Sequence, residues 1–175
     1  MISILRIGHR PYRDKRITTH VALVARAFGA HTIYIDTHDE KIEETIHSVS
    51  KRFGGKFIVK TGISPMKLIK QWDGPIVHLT MYGETLKESM NLLNTQDNIL
   101  VIVGAEKVPP QYYDISDINV SVSNQPHSEV AAVAIFLDRI THQKWEHKTF
   151  KGGEMTILPK KHGKKVVSTN ENKDY

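Results

Sequence analysis

The chain has 175 residues, a length that suits one domain with a short appendage. Hydrophobic residues make up 39% of it and charged residues 25%, as in globular proteins with a sizeable core, and no apolar run is long enough to cross a bilayer. The lack of cysteine excludes disulfides and cysteine-ligated metal sites, while the net charge of +5 is compatible with a polyanionic partner. Because Arg6 and Arg10 interrupt the only apolar stretch near the N-terminus, we expect no secretion signal and a cytoplasmic protein.

Short apolar runs alternate with amphipathic segments along the chain. The predicted strands are, in chain order, ISILRIG, HTIYID, KFIVKTG, PIVHLT, NILVIVGA and DINVSV. The predicted helices are TTHVALVARAFG, DEKIEETIHSVSKRFGG, SPMKLIKQW, GETLKESMNLLN and HSEVAAVAIFLDRI, the first with Thr18 or Thr19 as its N-cap. The alternation predicts an α/β fold, with a mainly parallel sheet and helices on both faces.

A dense group of cations lies between the first predicted strand and its helix. Its members are Arg6, Arg10, Arg13, Lys15 and Arg16, with only Asp14 to offset them. This junction lies at the carboxyl end of a sheet strand, where open α/β folds bind ligands. An exposed connector that binds nothing is the alternative, but five cations in eleven residues favour contacts with an RNA phosphate backbone.

The segment VIVGAEKVPP is an unusual way for a strand to end. It has a single glycine, Gly104, and lacks the second glycine and the lysine–serine/threonine pair of a phosphate-binding loop. This argues against an ATPase or a dinucleotide-dependent enzyme. We further expect Pro109 and Pro110 to prevent a helix from following at once, so that the strand opens into a stiff, extended loop.

The segment VSVSNQPHSEVAAVAIFLDRI carries small polar residues from a strand into an alanine-rich helix. His127 or Ser128 can cap that helix, and ordinary capping would by itself explain the pattern. Together with the loop after Gly104, however, it predicts two neighbouring strands that end in small residues. The resulting cleft would be lined by backbone N–H and C=O groups and would suit an adenine with a polar amino-acid tail.

The chain becomes polar and irregular after Arg139. We expect a domain of residues 1–142 followed by an arm of residues 143–175, with a hairpin over KTFKGGEMTILP and a frayed tail from about Val167. The lysine-rich KKHGKK is either a solvated tail or an arm that contacts phosphates. The ten histidines are scattered and no pair has the spacing of a zinc site on a helix, so we expect no metal.

The segments IVHLTMYGE, VGAEKVPP and SNQPHSEVAAVAIFLDR, in this order after RIGHRPYRDKRITTHVALVARAFGA, resemble the SPOUT class of RNA methyltransferases. Within that class the whole chain is most similar to the archaeal tRNA cytidine-56 2′-O-methyltransferases. The resemblance implies a C-terminal trefoil knot, a methyl donor, S-adenosylmethionine, bent within it, a homodimer and tRNA as the substrate. The loop after Gly104 would then form a wall of the donor pocket.

The resemblance also implies roles for particular residues. The donor would contact Leu79, Gly104, Ala105, Glu106, Lys107, Val108, Val122, Ser123, Asn124, Gln125, Pro126, His127, Ser128 and Glu129. The RNA would contact Arg10, Arg13, Lys15 and Arg16. The catalytic candidates are Arg16 first and Arg10 second, with Ser128 orienting the ribose and Glu106 steadying its loop.

This chain departs from the wider pattern at the catalytic arginine. The family's arginine position is occupied by Leu23, and Arg26 lies three residues later, where we interpret it as a helix-surface cation. Three alternatives remain open at this point. They are a SPOUT enzyme that modifies another tRNA or rRNA nucleotide, a non-catalytic RNA-binding module, and a flavodoxin-like binder of small molecules, which the three ordered segments argue against.

Overall fold

The computed structural model describes residues 1–93, 98–104 and 107–169. Its main sheet has six parallel strands in the order β3-β2-β1-β5-β4-β6. Their bounds are β1 Ile2–Ile7, β2 Thr32–Ile35, β3 Ile58–Lys60, β4 Ile76–Thr85, β5 Ile99–Gly104 and β6 Ile118–Ser121. The predicted parallel α/β fold is therefore confirmed.

Helices cover both faces of this sheet. They are α1 Lys15–Ala27, α2 Glu40–Phe53, α3 Pro65–Lys70, α4 Leu86–Met90, α5 Gln111–Ile115 and α6 Glu129–Ile140. One core joins the sheet to α1, α2 and α6, and the other joins it to α3 and α5. All six residues of β1 are buried, because apolar side chains on both of its faces are covered. Among the described residues, no helix has the length and apolar character needed to span a bilayer.

The first helix begins earlier than its threonines predict. Helix α1 starts at Lys15 after Asp14, so Thr18 lies inside the helix, where it is buried and hydrogen-bonded to His9 at 2.9 Å. Lys15 and Arg16 consequently belong to the first helical turn and not to the preceding loop.

Strand β4 is longer than the sequence predicts. The predicted helix GETLKESMNLLN begins only at Leu86, while Glu84 and Thr85 continue the strand and pair with β6 after a shift in register. Gly83 makes this possible, because a Cβ there would overlap the backbone of Asn119. Thr85 then caps the short α4 by accepting a hydrogen bond from the Glu88 N–H at 3.3 Å.

A helix, α5, begins directly after the two prolines that follow β5. Residues 107–109 belong to no helix or strand, and α5 begins at Gln111, directly after Pro110. The Tyr112 N–H donates to the Pro109 carbonyl at 3.1 Å. As expected, no helix occupies residues 107–109 after β5. The prolines do not exclude one further on, however, because proline has no N–H to satisfy and the start of a helix requires none.

The described part of the C-terminal arm, residues 143–169, has secondary structure of its own. A 3₁₀ turn over Lys144–His147 leads to an antiparallel hairpin of β7 Met155–Ile157 and β8 Val166–Ser168. A hairpin was predicted, but it lies further along the chain than KTFKGGEMTILP, and Val167 is part of a strand instead of a frayed tail.

Aromatic and backbone contacts hold the arm against α1 and the end of α2. The Trp145 and Phe28 rings lie 4.6 Å apart, and the Gly55 N–H donates to the Lys151 carbonyl at 2.9 Å. Arg26 is buried, lies 4.6 Å from the Phe150 ring centre and donates to the Gly54 carbonyl. Its interpretation as a helix-surface cation was wrong, because the arm covers it.

The segment after β6 is tied to β4. The Asn124 side-chain amide donates to the Met81 carbonyl at 2.8 Å. The C-terminal trefoil knot implied by the SPOUT resemblance stays a prediction, since strand order alone does not trace how the chain threads.

Candidate active site

A cleft of 410 Å³ opens at the carboxyl ends of β4, β5 and β6. Its wall is formed by the end of β4, the segments after β5 and β6, and the starts of α5 and α6. The lining residues are His78, Leu79, Thr80, Met81, Tyr82, Val103, Gly104, Val108, Tyr113, Val122, Gln125, Pro126, His127, Glu129 and Ala132. Clefts of this size and position hold small ligands in open α/β folds.

Most of the donor-binding residues implied by the resemblance meet in this cleft. Those that line it are Leu79, Gly104, Val108, Val122, Gln125, Pro126, His127 and Glu129. Those that do not are Lys107, Ser123, Asn124 and Ser128. Ala105 and Glu106 lie outside the described residues.

Three of the residues outside the lining shape the loop between β6 and α6. The Ser123 hydroxyl accepts from the Gln125 N–H at 3.2 Å, and the Asn124 amide reaches the Met81 carbonyl. The Ser128 hydroxyl caps α6 by accepting from the Val130 N–H at 3.1 Å. These contacts fix the backbone that faces the cleft.

Sequence reasoning missed seven of the lining residues. They are His78, Thr80, Met81, Tyr82, Val103, Tyr113 and Ala132. The run PIVHLT was predicted as a strand, and only its Leu79 was assigned to the donor site. Helix α5, which carries Tyr113, was not predicted. A histidine and a threonine in an otherwise apolar strand were the available signal.

The electrostatics of the cleft are set by one acidic residue. Glu129 is the charged residue that lines it, and no lysine or arginine among the described residues does. The Arg6 guanidinium lies behind it and donates from Nη2 to Glu129 Oε1 at 2.9 Å. Burial lowers the pKa of Arg6, and the Glu129 carboxylate opposes that shift. Arg6 therefore belongs to the buried sheet and not to the basic loop in which the sequence placed it.

His78 lies at the bottom of the cleft with no exposed surface. Its Nδ1 is 2.9 Å from Asn119 Oδ1, and its ring meets the Tyr113 ring edge-on at 4.7 Å between centres. Burial lowers the pKa of His78, so the imidazole is neutral at neutral pH.

A short loop, residues 8–14, follows β1 and is held rigidly. Asp36 accepts from the N–H groups of Gly8 at 2.6 Å and His9 at 3.1 Å. The buried His9 ring lies between the Thr18 hydroxyl at 2.9 Å and the Asp39 carboxylate at 3.1 Å. This arrangement has no solvent access, so it serves to hold the loop.

The same loop contains a paired cation. Arg10 donates to the Asp14 carboxylate through Nε at 2.7 Å and Nη2 at 3.0 Å. This pairing lowers the pKa of Asp14, chiefly through the hydrogen bond from Arg10. Arg10, the second catalytic candidate, is thus engaged by a buried carboxylate.

A shallow groove on the surface gathers the other basic candidates. It is lined by Tyr12, Arg13, Lys15, Arg16, Thr19 and His20, and the Tyr12 side chain is fully exposed. The sequence predicted the three cations but not the tyrosine beside them. Arg16, the first catalytic candidate, lines this groove and not the cleft.

Comparison with known proteins links this geometry to RNA methylation. Residues 53–167 match the family model described as tRNA ribose 2′-O-methyltransferase, aTrm56. A tRNA (cytidine(56)-2′-O)-methyltransferase of Picrophilus torridus is 57% identical over 166 residues, which cover 95% of this chain and 48% of that protein. This chain therefore spans about half the length of that relative. The enzyme of the same name from Archaeoglobus fulgidus is 49% identical over 95% of this chain and 98% of its own length.

Solved structures share the fold. The SpoU methyltransferase AviRb from Streptomyces viridochromogenes, in complex with the cofactor AdoMet, has a TM-score of 0.60 at 15% identity, covering 81% of this chain and 57% of that one. The A. aeolicus TrmH/SpoU tRNA modifying enzyme has a TM-score of 0.59 at 15% identity, covering 83% and 76%. At this level of identity the likeness concerns the fold alone.

Proposed function

The chain belongs to the tRNA ribose 2′-O-methyltransferase family, and from this membership we propose that it methylates the ribose 2′-oxygen of cytidine 56 in tRNA. The observation that carries the proposal is the cleft, which gathers the family-implied residues from three separate segments at one edge of the sheet. The full-length similarity to the Archaeoglobus fulgidus enzyme supports the same substrate.

The described residues of the cleft fit S-adenosylmethionine as the methyl donor. The lining combines apolar side chains with backbone groups, and its charged residue is Glu129, which suits a ligand that carries an ammonium and a sulfonium. A triphosphate would need cations, and no lysine or arginine in the described part of the lining provides one. The donor would be held by the end of β4, by the loop after Gly104 and by residues 122–129, and it supplies an activated methyl group.

The protein's own contribution is to place the ribose hydroxyl and to stabilise the charge that develops on it. Positioning and fixed charges account for most of the rate when the leaving group is good. We assign Arg16 to stabilising the 2′-oxygen, since a guanidinium donates hydrogen bonds and does not act as a base. Arg10 is the second candidate, and it would have to share its guanidinium with Asp14. Ser128 accepts a hydrogen bond as the cap of α6, so its own O–H is available to orient a ribose oxygen.

The separation of Arg16 from the cleft supports a homodimer. In one protomer the arginine lines the surface groove and the donor cleft is built from other elements. A second copy that brings its groove to the cleft would complete the site. Helix α6 also exposes Ile135, next to the partly exposed Ala131 and Ala134, on a face that a second copy could cover.

The basic groove is the surface that we assign to tRNA, in the cytoplasm where tRNA is found. Arg13, Lys15 and Arg16 supply cations for phosphates, and Tyr12 supplies an aromatic face on which an unstacked base can lie. The loop is fixed by Asp36 and His9, so little conformational entropy is lost when RNA binds.

The experiment that tests the proposed function is methyl transfer from labelled S-adenosylmethionine to two tRNA transcripts. One carries cytidine at position 56 and the other carries 2′-deoxycytidine there. We expect label in the first transcript only. Equal label in both would assign the reaction to another atom or nucleotide, and no label in either, with the donor bound, would identify a non-catalytic RNA-binding module.

A further inference from the structure

The hydrogen bonds around His78 determine which of its ring nitrogens carries the proton. The Asn119 side-chain amide donates to the Tyr113 carbonyl at 2.9 Å, so its oxygen is the atom that faces His78 Nδ1 at 2.9 Å. A carboxamide oxygen only accepts, and Nδ1 must therefore carry the hydrogen. In the neutral ring this leaves Nε2 as a bare acceptor.

The Nε2 atom of His78 is buried and has no hydrogen-bond partner among the residues that the structure describes. A buried acceptor without a donor is unfavourable, and native proteins rarely leave one in that state. His78 also lines the cleft, directly behind its surface. Because the ring has no exposed surface, a molecule bound in the cleft reaches Nε2 only when the side chains that cover it move apart. His78 Nε2 is therefore a hydrogen-bond acceptor whose missing partner would be a donor group of the ligand.

We propose that His78 Nε2 accepts a hydrogen bond from the 6-amino group of the donor's adenine and so selects adenine over other purines. This proposal rests on the proposed function, since it assumes S-adenosylmethionine in the cleft. The arrangement makes His78 a specificity-determining residue, with Asn119 as the residue that sets its tautomer.

The two faces of the sheet explain why the adenine, and not the amino-acid end, meets His78. Residues alternate along β4, so His78 lies on the face covered by α5, while Leu79 joins the core beneath α6. Glu129, at the start of α6, therefore marks the other end of the cleft. The neutral, aromatic end beside Tyr113 suits a purine, and the carboxylate end suits the ammonium group.

The test compares the binding of S-adenosylhomocysteine and S-inosylhomocysteine by isothermal titration calorimetry. In the second ligand a carbonyl oxygen replaces the 6-amino group and would face the lone pair of Nε2. We expect the wild-type protein to prefer the adenosyl ligand by roughly 10- to 100-fold. His78→Asn keeps a polar group near Asn119 but removes the distal acceptor, and it should reduce the preference to within about threefold.

A matched control changes a different polar group of the same cleft. Tyr113→Phe removes a hydroxyl but keeps the ring edge against His78, and it should alter the affinity for both ligands by the same factor. In ¹⁵N-edited spectra of the wild-type protein, the Nε2 signal of His78 should shift with the adenosyl ligand and not with the inosyl ligand. This measurement needs no variant, so it holds even if His78→Asn does not fold.

Two results would overturn the proposal while leaving the proposed function intact. They are an equal affinity of the wild-type protein for the two ligands, and a preference that survives in His78→Asn. If the wild-type protein bound neither ligand, the proposed function itself would fail.

Discussion

Arg6 and Glu129 are 123 positions apart in the chain, yet their side chains form a 2.9 Å ion pair behind the cleft. The Arg6 side chain is 1% exposed and that of Glu129 is 25% exposed. Arg6 also donates to the Ile7 carbonyl at 2.6 Å, so the guanidinium is fixed to the end of β1. The pair connects the first strand to the last helix and holds the Glu129 carboxylate at the cleft.

Removing only the carboxylate should be strongly destabilising. Glu129→Gln leaves the Arg6 charge buried without its partner, and we expect the free energy of unfolding to fall by about 3 kcal/mol. Urea denaturation followed by circular dichroism measures this. The matched control is Glu154→Gln, which breaks an exposed pair with Lys51, and it should change the free energy by at most about 1 kcal/mol. Equal losses in the free energy of unfolding would show that the buried pair stabilises the fold no more than the exposed pair does.

At the scale of elements, the C-terminal hairpin presents a compact group of cations. Lys160, Lys161, Lys164 and Lys165 lie in the connection between β7 and β8, and all are exposed. No acidic residue lies between Met155 and Lys165. Since the hairpin is anchored to α2 through the Glu154 N–H and the Lys51 carbonyl, the cations are displayed on an ordered element.

If this hairpin contacts tRNA phosphates, neutralising two of its lysines should weaken tRNA binding. Lys160→Gln combined with Lys161→Gln should lower the affinity for tRNA roughly 3- to 10-fold near 0.1 M salt. The number of counterions released on binding, given by the slope of log affinity against log salt concentration, should fall by about one to two. Filter binding over a series of salt concentrations measures both. The control is Lys67→Gln combined with Lys70→Gln on α3, which covers the opposite face of the sheet. Identical losses in the two double variants would mean that the hairpin is merely solvated.

Sequence patterns predicted the elements that depend mainly on residues close together in the chain. The run of residues 99–104 is a buried strand, as its apolar side chains require, and the acids and bases of α2 match the helix dipole. Helix α5 was not predicted because of Pro110. A proline within a helix interrupts it, but a proline at the start of a helix is tolerated, and Pro110 directly precedes α5. The tautomer of His78 could not be predicted, since it depends on Asn119, 41 residues away on a neighbouring strand.

At the scale of the whole molecule, the cleft and the basic groove lie apart on one chain. The cleft lies over the ends of β4, β5 and β6, and Arg16 lies on the first turn of α1. Under the proposed function, a substrate ribose meets both the methyl donor and Arg16. Two protomers can satisfy this requirement if the basic groove of each one faces the cleft of the other.

Heterodimers with one defect in each protomer test this arrangement. Arg16→Ala should lower kcat by roughly 10²- to 10³-fold without weakening donor binding. Gly104→Val should block the cleft, because even a Cβ at Gly104 would overlap the Val108 side chain. If Arg16 acts across the interface, a purified heterodimer of the two variants retains one intact site and about half of the wild-type activity. If Arg16 acts within its own protomer, neither site is intact, and the heterodimer will be as inactive as both parent homodimers.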